Sequence, residues 1–257
     1  MLKQDVPFLR MAAWAFVTFV VTVSLLMQLG TSRHGNYEYY GDSPLTYLGP
    51  TMLAFFAPLV LDWWRKRQRD WFPRDRWSCV AIAVVAAAMV LILRIEGRRW
   101  RCACGDLAPW SGDVWSSHNS QHLFDPYSFT HALHGVVFCG LLSWGCPRVL
   151  PAWRLCLAVA LEGLWEILEN SNLIIQRYRE ATISLDYLGD SVINSVGDLI
   201  SCGLGFVLAR RLGLRRSVIV FLLTEAMLLL WIKDDLFLNV VMLIHPLEAI
   251  KAWQMGH

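Results

Sequence analysis

Three stretches of this chain, each apolar enough to cross a membrane, carry polar and ionisable residues that a lipid interior tolerates only on strict terms. They hold His131, His134, Glu162, Glu166, Glu169, Asn170, Asp190, Asn194 and Asp198. A charge at mid-membrane costs roughly 2.5 to 3.5 kcal/mol on translocon scales, so five unpaired carboxylates would cost more than about 10 kcal/mol, comparable with the stability of a whole domain. Such groups must be paired, protonated, bound to a metal or wetted by a cavity.

The rest of the chain points the same way. Of 257 residues, 56% are hydrophobic and only 17% charged, an excess that a soluble core of this length does not need. The formal charge of +2, with no basic tail, argues against a nucleic-acid partner. Most of the thirteen tryptophans lie near the ends of apolar runs, where their rings anchor at the headgroup level. The pattern predicts an all-α, polytopic transmembrane helix bundle of about seven spans. These are Met11 to Leu29, Leu45 to Trp64, Trp77 to Leu93, Phe129 to Trp144, Ala152 to Ile175, Tyr187 to Ala209 and Ser217 to Ile232. Leu236 to Trp253 is apolar but interrupted by Asn239, His245, Pro246, Glu248 and Lys251, which predicts a C-terminal interfacial or re-entrant helix. The dense basic run RKRQRDWFPRDR, Arg65 to Arg76, places its loop and the amino terminus in the cytoplasm and residues 94–128 in the periplasm.

Alternating direction brings the polar residues to one membrane face. His131 and His134 open the fourth expected span, Glu166, Glu169 and Asn170 occupy the later half of the fifth, and Asp186 and Asp190 open the sixth. Glu162 and Asp198 lie deeper. At about 100° per residue, Glu162, Glu166 and Glu169 fall on one helix face, while Asp186, Asp190, Asn194 and Asp198 step by four along the next. A polar network in which these groups satisfy one another explains the pattern without chemistry. A divalent metal is the sharper reading: His131 and His134 facing carboxylates offer the N and O donors that suit Zn, Mn or Fe, although no HExxH motif accompanies them. In that reading Glu166, Glu169 and Asp190 are the catalytic carboxylates, with Glu166 or Glu169 as general base.

Other residues carry weaker signals. Arg177 and Arg179 have the chemistry to clamp a phosphate or carboxylate, but also to pair with Glu180, Asp186 or lipid headgroups. Asp125 is placed to join the cluster because Pro126 pins the chain just before the histidine-bearing helix. Cys102-Ala-Cys104 is too tight for an easy disulfide and has no second cysteine pair, and His118 and His122, four apart in the same loop, read as surface residues.

The strings CACG (Cys102 to Gly105), SSHNSQH (Ser116 to His122), FTHALHG (Phe129 to Gly135), WEILENS (Trp165 to Ser171), the run from Ile174 to Asp198, and NVVMLIHPLEAIKAWQ (Asn239 to Gln254) resemble, in order and spacing, an uncharacterised family (UPF) of bacterial multi-pass inner-membrane proteins with a domain of unknown function. The resemblance runs from about Trp77 to the carboxyl end, which sets a membrane domain of residues 77–257 apart from a two-helix extension of residues 1–76. More loosely, Asp125, His131, Glu162, Glu166, Arg177, Asp186, Asp190 and Asn194 resemble the pattern of the VanZ-like group. The resemblance implies location in the cell inner membrane and settles no activity. Two classes of function follow. One is a metal-assisted hydrolase or transferase acting on a lipid-linked envelope substrate, with Glu162, Asn170, Asn194 and Asp198 completing the pocket. The other is a non-enzymatic membrane protein that binds a polar ligand, conducts protons or serves as a scaffold in an envelope complex.

Overall fold

The structure is a computed structural model and describes residues 76–182 and 187–256. Eight helices follow one another among the described residues: α1 (Arg76–Ile95), α2 (Ser128–Gly145), α3 (Pro151–Glu169), α4 (Asn172–Ala181), α5 (Val192–Leu212), α6 (Leu214–Ile232), α7 (Leu236–Ile244) and α8 (Glu248–Met255). The all-α expectation holds. Outside the helices, one isolated bridge joins Trp110 to Phe124.

The expected span count does not hold. Among the described residues two helices, α1 and α5, are long and apolar enough to cross a membrane, where five spans were expected between Trp77 and Ile232. The spans expected at Met11 to Leu29 and Leu45 to Trp64 lie outside the described residues. The reasons are local. Helix α2 carries His131 and His134 within its 18 residues, and α6 carries Arg215, Arg216 and Glu225. The expected fifth span breaks in two. Helix α3, with Arg154, Glu162, Glu166 and Glu169, ends where the Asn170 amide turns back to donate to Glu166 O at 3.0 Å, and Ser171 then caps α4. The stretch Leu236 to Trp253 is likewise two short helices, separated at His245, Pro246 and Leu247. Of the two span-length helices, α1 is mostly uncovered, whereas α5 is mostly enclosed by its neighbours as a core helix is, so the support for membrane association rests on α1 and is weak.

Helix α5 begins later than periodicity suggested. Gly189 sits at φ +88°, where a Cβ would lie 2.3 Å from Arg98 Nη1, and the Ser191 side chain caps the helix by accepting from Asn194 N. Asp190 therefore precedes the helix rather than riding on it. The first free N–H groups of α5 are satisfied from residues 96–127: Ser191 N donates to Ser120 O (2.9 Å), Val192 N to Arg99 O (2.8 Å) and Ile193 N to Trp100 O (3.1 Å).

Helices α2 and α5 make the closest pair, and glycine is the cause. A Cβ on Gly135 would stand 1.9 Å from Cys202 O, and one on Gly205 1.9 Å from Ala132 O. The two backbones touch where a side chain would hold them apart. Around this seam Cys139, Ala158, Phe206 and Ala209 form one apolar cluster, and Met89, Leu93, Val159, Val192 and Leu199 form another that fastens α1 to α3 and α5. What the seam encloses is polar: Glu162, Glu166, Asn194, Ser195 and Asp198 are all buried, while Leu161, Leu164, Leu168, Ile200 and Leu204 on the same two helices are exposed.

Candidate acidic metal centre

The site starts at the turn into α2. Asp125 Oδ1 accepts from the N–H groups of Tyr127 (2.8 Å) and Ser128 (3.2 Å), and its Oδ2 accepts from Ser120 N (2.9 Å) and the Asn194 amide (3.3 Å). This carboxylate therefore organises the helix start and ties it to α5. One turn further in, His131 and His134 face α3 with ring centroids 5.2 Å apart. Both reach Glu162: His131 Nδ1 donates to Oε1 at 2.6 Å, and His134 Nδ1 lies 3.1 Å from each carboxylate oxygen.

That arrangement leaves the other face of His131 available. With Nδ1 committed to Glu162, Nε2 points toward Asp198 Oδ2 at 3.9 Å, too far for a hydrogen bond. Glu166 Oε1 approaches His131 Nδ1 to 3.3 Å, yet both Glu166 oxygens are buried without a hydrogen-bond partner. His131, Glu166 and Asp198 each offer a ligand atom within 4.8 Å of the others, and so do His131, His134 and Glu162. A carboxylate holding the distal nitrogen of a histidine whose other nitrogen is free is the common supporting arrangement of metal-bound imidazole. These residue groups are chemically fit to hold a divalent cation.

Beside this cluster opens a cavity of about 60 Å³, whose lining includes His131, His134, Glu169, Asp190, Asn194 and Asp198. It has room for a few waters or one small polar group. Tyr178, Tyr187, Asn239, Asn119 and Ser120 complete much of the wall. The Asp190 carboxylate accepts from the Asn170 amide and the Tyr187 hydroxyl, both at 2.8 Å, and Asp190 N donates to Asn170 Oδ1 at 2.7 Å. Burial, reinforced by the charge of Asp190, pushes Asp125 up to about 6, against the pull of His131 and of its own hydrogen bonds from Ser120 and Tyr127. Burial also raises Asp190, opposed by Tyr187 and Asn170.

The structure thus brings together Asp125, His131, His134, Glu162, Glu166, Glu169, Asn170, Asp190, Asn194 and Asp198. It does not bring Arg177 and Arg179 with them. Arg177 donates to the carbonyls of Leu243 (2.9 Å) and Ile244 (3.1 Å), and Arg179 to that of Tyr187 (2.6 Å), so both stay out of the cavity and hold from behind the backbone of Leu243 and Tyr187, two residues of its wall. Asp186 lies outside the described residues. Sequence reasoning passed over Ser128, whose hydroxyl donates to Asp198 Oδ1 at 2.8 Å while accepting from Asp125 N at 3.1 Å, and the tyrosines of the wall. Ser128, three residues before His131, shares its helix face and carried that signal.

The chain is similar to curated proteins from several bacteria. It is 47% identical over 178 residues to a UPF0314 protein of Paracoccus denitrificans (strain Pd 1222), a match covering 69% of this chain and 91% of the relative. It is 43% identical over 184 residues to a UPF0314 protein of Brucella anthropi, covering 71% and 93%, and 44% identical over 183 residues to one of Sphingopyxis alaskensis, covering 71% and 96%. No solved structure matches. The model of a family described as a protein of unknown function, DUF2585, matches residues 93–256, a stretch that contains the whole of the site, and the chain belongs to the DUF2585 family.

Proposed function

We propose that this is a multi-pass protein of the bacterial inner membrane, amino terminus in the cytoplasm, whose acidic pocket holds a divalent metal for hydrolysis of a lipid-linked envelope substrate. Supporting the membrane location is an inverted distribution of polarity. Leu157, Leu161, Leu164 and Leu168 repeat along the exposed face of α3, opposite the buried Glu162 and Glu166. The envelope setting implied by the VanZ-like spacing belongs to this proposal as well.

The observation that carries the metal is the Glu166 carboxylate, buried with neither oxygen hydrogen-bonded, next to His131 and Asp198. A buried carboxylate in that position calls for a cation or a proton. His131, Glu166 and Asp198 are the ligands in this reading, and Glu162 orients His131 through Nδ1. The metal supplies Lewis acidity and a water of lowered pKa. The residues of the chain do the rest. Glu169, lining the cavity, takes a proton from the attacking water and returns it to the departing alcohol oxygen as the ester bond breaks. Among the described residues no Lys or Arg lines the cavity, so no cationic side chain would meet charge building on the substrate oxygen. The cavity admits only the reacting group, and the lipid portion stays outside.

A second reading, proton conduction without covalent chemistry, draws on one observation: His134, Glu162 and His131 form one polar chain and Asp198, Ser128 and Asp125 another, their ends 3.9 Å apart between His131 Nε2 and Asp198. Metal analysis of detergent-purified protein separates the two. One equivalent lost on Glu166→Gln supports the metal enzyme; a folded protein that takes up none at this site leaves the proton path.

A further inference from the structure

Residues 96–127 raise a question of stability. They contain no helix and a single isolated bridge, yet they cap the first turn of α5, place Asn119 and Ser120 in the cavity wall and lead into the histidine helix. Their main apolar anchor is Trp110, stacked on Trp231 at 6.2 Å and edge-on to Phe129 at 6.3 Å. Ser120, a non-glycine residue, is held at φ 59°, a conformation that persists only where the surroundings impose it. A segment of this size without a core of its own is normally stapled by a disulfide or a metal.

The four side chains with staple chemistry converge. Cys102, Cys104, His118 and His122 each present a ligand atom within 4.8 Å of the others. Cys102 and His122 are buried, His118 is half-buried and Cys104 exposed. His122 Nδ1 donates to Ala108 O at 2.7 Å, which fixes the tautomer and leaves the Nε2 lone pair directed into the cluster. His118 Nδ1 stands 3.3 Å from that Nε2 and 3.6 Å from Cys102 Sγ. A zinc tetrahedron with Zn–S of about 2.3 Å and Zn–N of about 2.05 Å has N–N edges of about 3.3 Å and N–S edges of about 3.6 Å. Two independent edges therefore agree with the tetrahedron. Both sulfurs also accept backbone N–H groups, Cys102 from Cys104 at 3.4 Å and Cys104 from Asp106 at 3.3 Å, as ligand thiolates do.

We propose that Cys102, Cys104, His118 and His122 form a tetrahedral zinc site that staples the two ends of the stretch 102–122 to each other and so fixes the fold of the segment that carries Asn119 and Ser120 into the wall of the acidic cavity. The spacing His-x-x-x-His is ordinary for zinc, and Cys-x-Cys is one residue tighter than usual. The tightness shows in the Sγ–Sγ separation of 2.6 Å, against an S–S edge of about 3.8 Å in the same tetrahedron. Seating zinc requires the exposed Cys104 side chain to rotate outward. Thiolate sulfur with imidazole selects zinc over the harder cations that an all-carboxylate site accepts. This site shares no ligand with His131, Glu166 or Asp198, and its proposal stands apart from the one above.

The test is cobalt substitution of the full chain, purified in detergent with its thiols reduced. The expected result is one thiolate-bound cobalt per chain, counted apart from any held by the acidic centre, giving a sulfur-to-metal charge-transfer band in the near ultraviolet with strong tetrahedral bands in the visible, which zinc then displaces. Cys102→Ser should abolish the charge-transfer band. His118→Cys, which adds a thiolate, should intensify it, a gain that misfolding does not produce. The Glu166→Gln variant should leave it unchanged. Reduced thiols with no cobalt band overturn the proposal. So does a purified protein whose mass is two hydrogens short and whose Cys102 and Cys104 resist alkylation, because the staple is then a disulfide.

Discussion

The bundle interior and the segment 96–127 each gather metal-ligating side chains, by opposite means. In the bundle, ligands stand on three helices whose separation is set elsewhere, by Gly135 and Gly205 letting α2 and α5 touch. The scaffold comes first and the polar groups fill the space it leaves. In the segment 96–127, backbone hydrogen bonds and the Trp110 stack tie the chain to the bundle, and the proposed ligand cluster is the element that organises the segment internally. One site is built by packing and the other builds its own surroundings, so damage should propagate differently from each.

The largest effect should come from the seam. Gly135→Ala and Gly205→Ala each drive a Cβ into a backbone carbonyl on the opposite helix, and should cost more than about 3 kcal/mol, beyond ordinary overpacking, because backbone and not a flexible side chain must move. Gly163→Ala is the control: its Cβ would meet Val85 Cγ1 at 3.5 Å, an ordinary contact. Membrane abundance and thermal midpoint measure both. Equal tolerance at Gly135 and Gly163 would show that the seam does not set the bundle.

The next effect is on the acidic centre itself. Glu166→Gln, Asp190→Asn and His134→Ala should each abolish metal retention or activity at normal abundance, and pairs of them should do little more than singles, since the groups act as one unit. A purely structural network would instead lose the variants from the membrane. Additive, partial losses would mean that the side chains do not form one site.

The seam between the two regions gives a smaller, pH-dependent effect. Asp234 accepts from the Tyr127 hydroxyl (3.2 Å), from Asp235 N (3.0 Å) and from the Gln254 amide (3.3 Å), and burial pushes it up to about 7. Its folded pKa lies above its unfolded value, so the folded state binds the proton more tightly. The stability this contributes is full below about pH 4 and is lost as pH rises through about 7. Wild type should be less stable at pH 8 than at pH 5 by about 2 to 3 kcal/mol from this group, and Asp234→Asn should flatten that part of the profile. A wild-type profile rising over the same window, unchanged in the variant, would contradict it.

The smallest change is Arg177→Ala. Losing its two bonds to Leu243 O and Ile244 O should cost about 1 kcal/mol and speed proteolysis at α7 without altering metal content. A loss of metal in this variant would bring Arg177 into the site after all.

The same contrast explains what was legible in the sequence. Helical period put Glu162 and Glu166 on one face and His131 beside His134, and the structure places all four together. Apolar runs alone overcount the spans, because the runs that became α2, α3 and α6 also hold the histidines, carboxylates and arginines that keep those helices below the apolarity of a span. The break at Asn170 was hidden because it arises from a side chain turning back to Glu166 O within an apolar run. The Cys and His of the segment 96–127 have no period to read. Their meeting depends on turns, such as the one carrying Ser120 at φ 59°, and His118 and His122 looked like surface residues for that reason.

The central claim is that His131, Glu166 and Asp198 hold a divalent metal. It is tested most directly in Cys102→Ser/Cys104→Ser protein, where the thiol cluster no longer contributes. Metal analysis after loading with manganese or zinc and extensive dialysis should find one equivalent per chain, falling to none when Glu166→Gln is added at unchanged helicity. A folded double-cysteine variant that retains no metal, or retains it undiminished with Glu166→Gln, would contradict the account.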